Sequence, residues 1–221
     1  MSKINLLLTD ANDNFADSKE AIKSIIKVAE EYAFPRLGID WDIDVFVTNH
    51  WLVTMIIRED GVGGRALRND LIEMAIREQD GTVGLLLEML IHELCHAARW
   101  GKNDEWAETL FYELISEGLA TYFEAEFANG REEKTFFIKT ISERTDEENE
   151  RILGVLQDQL DLTLEDGYDS SAIFFFGNDD LPRWAGYSLG YYLVKKYLEK
   201  TGKKLEDAFA DKYADFKRIL R

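Results

Sequence analysis

The spacing of apolar residues along the chain changes from a period typical of strands to one typical of helices. INLLLTD at residues 4–10 and the alternating DIDVFVT at 42–48 predict two strands. LVTMIIR at 52–58 predicts a third strand, joined to the second by a hairpin across NHW, and GVGG at 61–64 predicts a turn. LIEMAI at 71–76 also fits a helix, but we interpret it as a strand. These runs predict a small sheet in the first hundred residues.

Helical spacing accounts for most of the remaining chain. A first helix over residues 17–34 has Asp17 or Ser18 as its cap and Pro35 after its end. Gly202 is placed just past the end of the last long helix. The other predicted helices cover residues 82–100, 104–127, most of 131–164, and 184–200, followed by a short terminal helix.

Strands come first and helices dominate later, which predicts an α+β fold. A length of 221 residues is compatible with one domain or with two tightly packed lobes. We expect a single domain over residues 1–221, with a small mixed sheet and one long helix in residues 1–100. Residues 101–221 would form a mostly helical lobe.

Composition narrows the class of protein. The formal net charge of −17 disfavours nucleic acid and anionic membranes as partners. The single cysteine, Cys95, permits no disulfide within the chain. The N-terminal apolar run is short for a signal peptide, and no segment approaches the roughly 20 apolar residues of a membrane span. These features predict a cytoplasmic protein.

Two of the three histidines lie in the segment HELCH, at His92 and His96. Residues four apart share a helix face, so the two ring nitrogens can reach one cation. Glu93, rotated by roughly 100° around the helix, is better placed to reach a metal-held water than to bind the metal. The spacing H-E-x-x-H therefore predicts two zinc ligands and a general base.

The rest of this helix is apolar apart from a stripe shared with the histidines. The stripe also holds Glu88, Glu93 and Arg99, within an arc of roughly 140°. We expect a buried helix with one solvated stripe. Cys95 points to the apolar side, as a small buried side chain rather than a ligand.

A third ligand is expected from the next helix, ETLFYELISEGLATYFEAEF. Glu113, Glu117 and Glu124 recur on one side of it, and Glu117 precedes Gly118. A mid-helix glycine costs about 1 kcal/mol, which close approach of a neighbouring helix or substrate would explain. Two histidines and Glu117 would leave one position open for water, as catalytic zinc sites require. Glu113 and His50 remain alternatives, and a solvated acidic face is the preferred interpretation of Glu113 and Glu124.

HELCH followed by EGLATYF resembles the gluzincin pattern, in which HExxH lies on one helix and a glutamate ligand about twenty residues on lies on the next. SEGLATY is similar to a segment of the membrane-alanyl-aminopeptidase group. Together with WAGYSLGYYLVKKYL at 184–198, these motifs resemble a largely uncharacterised bacterial family of predicted zinc-dependent proteases. The resemblance covers roughly residues 70–200. It implies a zincin-like fold, zinc on His92, His96 and Glu117, and Glu93 as base.

Two features depart from related patterns. Thermolysin-type enzymes have an aspartate four residues after the glutamate ligand, where this chain has Thr121. The aminopeptidase motif upstream of HExxH is also missing, so no aminopeptidase activity is inferred. In zincins, an edge strand before the active-site helix binds substrate backbone, and by analogy this would be LIEMAI.

The last long helix carries two pairs of residues spaced four apart. Gly186 and Gly190 share one face and permit close packing on another helix, for which we expect the HELCH helix. Tyr187 and Tyr191 occupy the adjoining face. A hydroxyl near the zinc would stabilise the oxyanion of peptide hydrolysis, and Tyr187 is the first candidate. The alternative is that both tyrosines are core aromatics.

The sequence thus predicts a zinc metallopeptidase acting on a peptide or protein. The alternatives are a zinc-binding protein without peptidase activity, and a zinc hydrolase of a non-peptide amide. The substrate, the choice between endopeptidase and exopeptidase action, and the oligomeric state are left open.

Overall fold

The computed structural model describes residues 2–9, 13, 15–49, 61–76, 83–105, 108–131 and 134–220. The chain divides into two compact units, Met1–Lys102 and Asn103–Arg221. The strand predicted at 52–58, its hairpin and His50 lie outside the described residues.

The first unit contains a four-stranded mixed sheet and two long helices. The sheet order is β1-β2-β4-β3, with β1, β2 and β4 parallel and β3 antiparallel to β4. Helix α1 packs on β1 and α2, and α2 packs on β3 and β4. The elements are β1 (Ile4–Leu8), α1 (Lys19–Leu37), β2 (Ile43–Thr48), β3 (Val62–Arg68), β4 (Leu71–Ile76) and α2 (Val83–Lys102).

Alternation along β2 shows why these residues form a strand. Ile43, Val45 and Val47 are buried, while Asp44 between them is exposed. Successive side chains of a strand point to opposite faces, so this pattern buries one β-branched row. The strand preferred for LIEMAI is confirmed as β4. However, GVGG is not a turn, because Val62, Gly63 and Gly64 begin β3.

The end of α1 corrects the prediction for Pro35. The helix continues through Pro35 to Leu37 and ends at Gly38, whose φ is +60° and whose N–H donates to the Phe34 carbonyl. Proline fixes φ near the helical value and removes only one backbone donor, so a last turn can accommodate it. Glycine is the residue that adopts the left-handed conformation required at this cap.

The second unit is helical throughout its regular structure. Helix α3 packs along α6, while α4 contacts both of them and α5 contacts α6. The helices are α3 (Leu110–Asn129), α4 (Phe136–Glu143), α5 (Asp146–Leu156), α6 (Ala185–Thr201), α7 (Leu205–Ala208) and α8 (Tyr213–Lys217). A π-helical segment spans Ala172–Phe176.

Local signals explain several helix ends in this unit. Thr145 and Glu148 form a capping box at the start of α5, and Gly202 ends α6 with a φ of +68° as predicted. The α3 prediction began too early, because the helix starts at Leu110 after its cap Thr109 rather than at Asp104. The α+β class and the small mixed sheet are confirmed. None of the described helices is long and apolar enough to cross a membrane.

Candidate metal centre

His92 and His96 lie one turn apart in the middle of α2. Their Nε2 atoms are 3.2 Å apart, and the ring planes meet at 66°. Two nitrogens bound to one tetrahedral zinc at about 2.0–2.1 Å would be about 3.3 Å apart. The distance between the two Nε2 atoms is therefore compatible with the shared metal ion that the HExxH spacing predicts.

The polar stripe of α2 is buried, which corrects the expectation of a solvated stripe. Glu88, His92, Glu93 and Arg99 are each at most 5% exposed, and only His96 is half-buried. Removing polar side chains from water carries a desolvation cost, which hydrogen bonds and ion pairs offset. Cys95 is buried and its thiol bonds the Ile91 carbonyl at 3.3 Å, as expected for a small core side chain.

The Glu93 carboxylate is held by strand β3. Its Oε2 accepts a hydrogen bond of 2.7 Å from the backbone N–H of Ala66, and the pair is buried. No local sequence pattern indicates this contact, because the two residues are 27 positions apart. It places the predicted general base beside the backbone of β3.

Glu117 and the two histidines form a group that could hold a metal ion. One ligand atom from each of His92, His96 and Glu117 lies within 4.8 Å of the other two. His92 is buried, while His96 and Glu117 are half-buried. Two imidazole nitrogens and one carboxylate oxygen are a donor set that catalytic zinc uses, so the residues present fit the metal.

Glu113 and Glu124, which lie on the same helix, do not form a solvated face. Glu124 is completely buried, which contradicts the preferred interpretation of that residue. Glu113 is half-buried and accepts a 2.5 Å hydrogen bond from the Tyr168 hydroxyl. Tyr168 was not singled out from the sequence, because it follows Glu113 by 55 residues in an irregular segment.

Burial is the main reason that the pKa of Glu113 is raised above its ordinary value. The hydrogen bond from Tyr168 lowers this pKa, and the negative charge of Glu117 raises it. Burial raises the pKa of the Tyr168 hydroxyl, and the hydrogen bond to Glu113 raises it further. The metal-binding group includes Glu117 and not Glu113.

Thr121 follows Glu117 by one helical turn. Its side chain is buried, and its Oγ1 has no hydrogen-bond partner among the described residues. Thr121 stands where thermolysin-type enzymes carry an aspartate, and its side chain makes no hydrogen bond within the described part of the chain.

The glycines of α6 make close contacts, but the predicted partner helix was wrong. A Cβ on Gly190 would lie 2.2 Å from the Leu114 carbonyl, and one on Gly118 would lie 2.3 Å from the Gly190 carbonyl. Gly190 therefore packs on α3. Gly186 faces Phe174 of the π-helical segment. The close approach expected at Gly118 is confirmed.

Tyr187 lies in an aromatic cluster of the second unit. Its ring makes edge contacts with Phe137, Phe174 and Phe175 at centroid distances of 5.1, 5.6 and 6.2 Å. Tyr191 instead stacks on Tyr122 at 5.1 Å. The ring packing is that of a core aromatic, and the oxyanion role of Tyr187 stays a prediction.

Comparison with known proteins gives one match. The family model described as "Predicted Zn-dependent protease (DUF2268)" matches residues 18–218. No curated protein and no solved structure matches the chain. The matched segment contains HELCH, EGLATYF and the C-terminal WAGYSLGYY motif.

Proposed function

The chain belongs to the family of predicted zinc-dependent proteases, and from this premise we propose that it is a gluzincin-type peptidase. Zinc is the cofactor that this family requires by its description. In the proposal, His92, His96 and Glu117 bind the ion and Glu93 is the general base. The observation that carries it is the three-residue group, with Glu93 one residue after His92 on the same turn of α2.

When bound, zinc would act as a Lewis acid that polarises a carbonyl and lowers the pKa of water. The carboxylate of Glu93 accepts a proton from the attacking water and then transfers it to the amine that leaves. Oε2 of Glu93 already accepts the Ala66 N–H, so Oε1 is the oxygen available for this proton. The nearly dry surroundings of His92 and Glu93 strengthen the electrostatic interactions on which both steps depend.

A peptide or protein is the substrate that a protease family implies. We expect the peptide to add to a strand edge, but not to the strand that the sequence indicated. LIEMAI forms β4, which lies between β2 and β3, so its edges are already paired. Among the described strands, β3 is at the end of the sheet order, and it contacts Glu93. We therefore propose β3 as the strand that binds the substrate backbone.

A non-catalytic zinc protein would need a fourth protein ligand that blocks the water position. Glu113 was one candidate for it. Its carboxylate instead accepts a hydrogen bond from Tyr168. This arrangement argues against Glu113 as the fourth ligand and so supports a catalytic site, while His50, the other candidate, lies outside the described residues.

The test compares wild type with Glu93→Gln, which keeps the shape of the side chain and removes its basicity. Both proteins should bind one zinc per chain, measured by plasma mass spectrometry. Wild type should cleave fluorescein-labelled casein or a quenched fluorescent peptide pool, and the variant should be slower by about 10²–10⁴-fold. Equal cleavage by both would exclude Glu93 as the base. Zinc binding without cleavage by wild type would favour the non-catalytic alternative.

A further inference from the structure

The hydrogen bond to Glu93 is donated by Ala66 of β3, which among the described strands pairs with β4 alone. Ala66 is opposite Ile72 in the antiparallel register with β4. Its N–H is donated to Glu93 at 2.7 Å, so it is not part of the ladder with β4. An N–H···O bond of this length to a carboxylate is typical of a charge-assisted hydrogen bond.

The backbone of β3 is irregular directly after this contact. The register with β4 shifts between Ala66 and Arg68. Bulges of this kind occur at sheet edges and next to active sites, where they redirect groups of the strand. The irregularity coincides with the point at which β3 reaches the carboxylate of Glu93.

Gly64 lies two residues earlier, on the same face of β3. A Cβ at this position would lie 2.7 Å from Cγ of Glu93 and 2.8 Å from Cγ of Met89. Both atoms belong to the inner part of their side chains, so neither can move away cheaply. Glycine at residue 64 is therefore explained by space, since it allows Glu93 to lie directly against the strand.

We propose that Gly64 and Ala66 are positioning residues for Glu93. The Ala66 N–H binds Oε2, and the missing side chain of Gly64 leaves room for the carboxylate and its Cγ. Together they fix the side chain so that Oε1 is presented for proton transfer. This inference rests on the proposed function for its catalytic consequence, but the contact itself can be tested without any activity.

The contact is tested by hydrogen exchange of the Ala66 amide in ¹⁵N-labelled, zinc-loaded protein. Glu93→Ala removes the acceptor, and protection of this amide should fall at least about tenfold. Glu93→Gln retains a side-chain oxygen as acceptor and should preserve most of the protection. Unchanged protection in Glu93→Ala would overturn the proposal, whether or not the protein cleaves peptides.

The consequence is tested by Gly64→Ala, with Gly154→Ala as the matched control because a Cβ at Gly154 meets nothing within 4 Å. Displacement of the base predicts a fall in kcat of about tenfold to a hundredfold, with KM and zinc affinity within about twofold of wild type. Gly154→Ala should leave all three unchanged.

A double variant separates positioning from general damage. In a Glu93→Gln background, Gly64→Ala should cause no further loss of kcat, since the group it displaces is already inactive. The same loss in both backgrounds, or an unchanged kcat in Gly64→Ala alone, would contradict the positioning role. If wild type cleaves no peptide, the proposed function fails, while the amide exchange of Ala66 still decides whether β3 holds Glu93.

Discussion

Glu113 is a carboxylate whose protonation is linked to folding. Burial raises its pKa above the ordinary 4.5, with the Tyr168 hydrogen bond opposing and the Glu117 charge adding to the effect. The folded protein therefore binds this proton more tightly than the unfolded chain. The stability due to this group is present below its ordinary pKa and is lost as the pH rises through the raised value.

Glu113→Gln removes this pH-dependent cost, because glutamine does not ionise. Relative to wild type, its free energy of unfolding should rise as the pH is increased from about 4 to about 8. Urea unfolding in the presence of a chelator measures this without a contribution from metal. Glu147→Gln, at an exposed position of α5, is the control for loss of one negative charge. A difference for Glu113→Gln that does not change with pH would contradict the burial argument.

The two predicted roles of Tyr187 are separable by deletion of its hydroxyl. Tyr187→Phe retains the ring contacts with Phe137 and Phe174, so the packing of the aromatic cluster should be preserved. If the hydroxyl stabilises the oxyanion, kcat should fall by about 10²–10³-fold with KM nearly unchanged. Tyr191→Phe is the control on the same helix. Activity equal to wild type in Tyr187→Phe would leave Tyr187 as a core aromatic only.

The packing of helix α3 against helix α6 depends on a contact between their backbones at Gly118 and Gly190. A Cβ on Gly190 would overlap the Leu114 carbonyl, and backbone cannot move aside as a side chain end can. Gly190→Ala should therefore destabilise the protein by about 1–3 kcal/mol. Gly154→Ala, in an open position of a helix, should be neutral or stabilising by up to about 1 kcal/mol. Equal unfolding free energies for the two variants, measured in urea, would contradict this contact.

The contact between Gly118 and Gly190 also shows how far helix packing could be predicted from the sequence. The i, i+4 spacing of Gly186 and Gly190 indicates a shared face of small residues, and both positions are closely packed. Spacing within one helix does not identify the partner, and the expected partner α2 was wrong for Gly190. The predictions for GVGG and Pro35 were wrong for a similar reason. Strand pairing overrode the turn preference of GVGG, and the glycine cap at Gly38 ended the helix after Pro35 rather than before it.

For the molecule as a whole, the sequence predicted the α+β class, and it named the three residues that form a group able to hold a metal ion. Those residues could be identified from the sequence because HExxH is a motif within one helix, and EGLA is a second local motif. Contacts between distant segments could not be predicted from the sequence. Examples are Ala66 with Glu93 and Tyr168 with Glu113, where no local pattern marks either partner. The cytoplasmic location and the exclusion of nucleic acid and membranes, both inferred from composition, stay predictions.

The central claim is that His92, His96 and Glu117 together bind one zinc ion. The direct test is the zinc content and zinc dissociation constant of wild type, His92→Ala, His96→Ala and Glu117→Ala, with Glu113→Gln as the matched control. Wild type and Glu113→Gln should each bind one equivalent with similar affinity, and each of the three ligand variants should bind at least about a hundredfold more weakly. Unchanged affinity in Glu117→Ala would contradict the proposed ligand set.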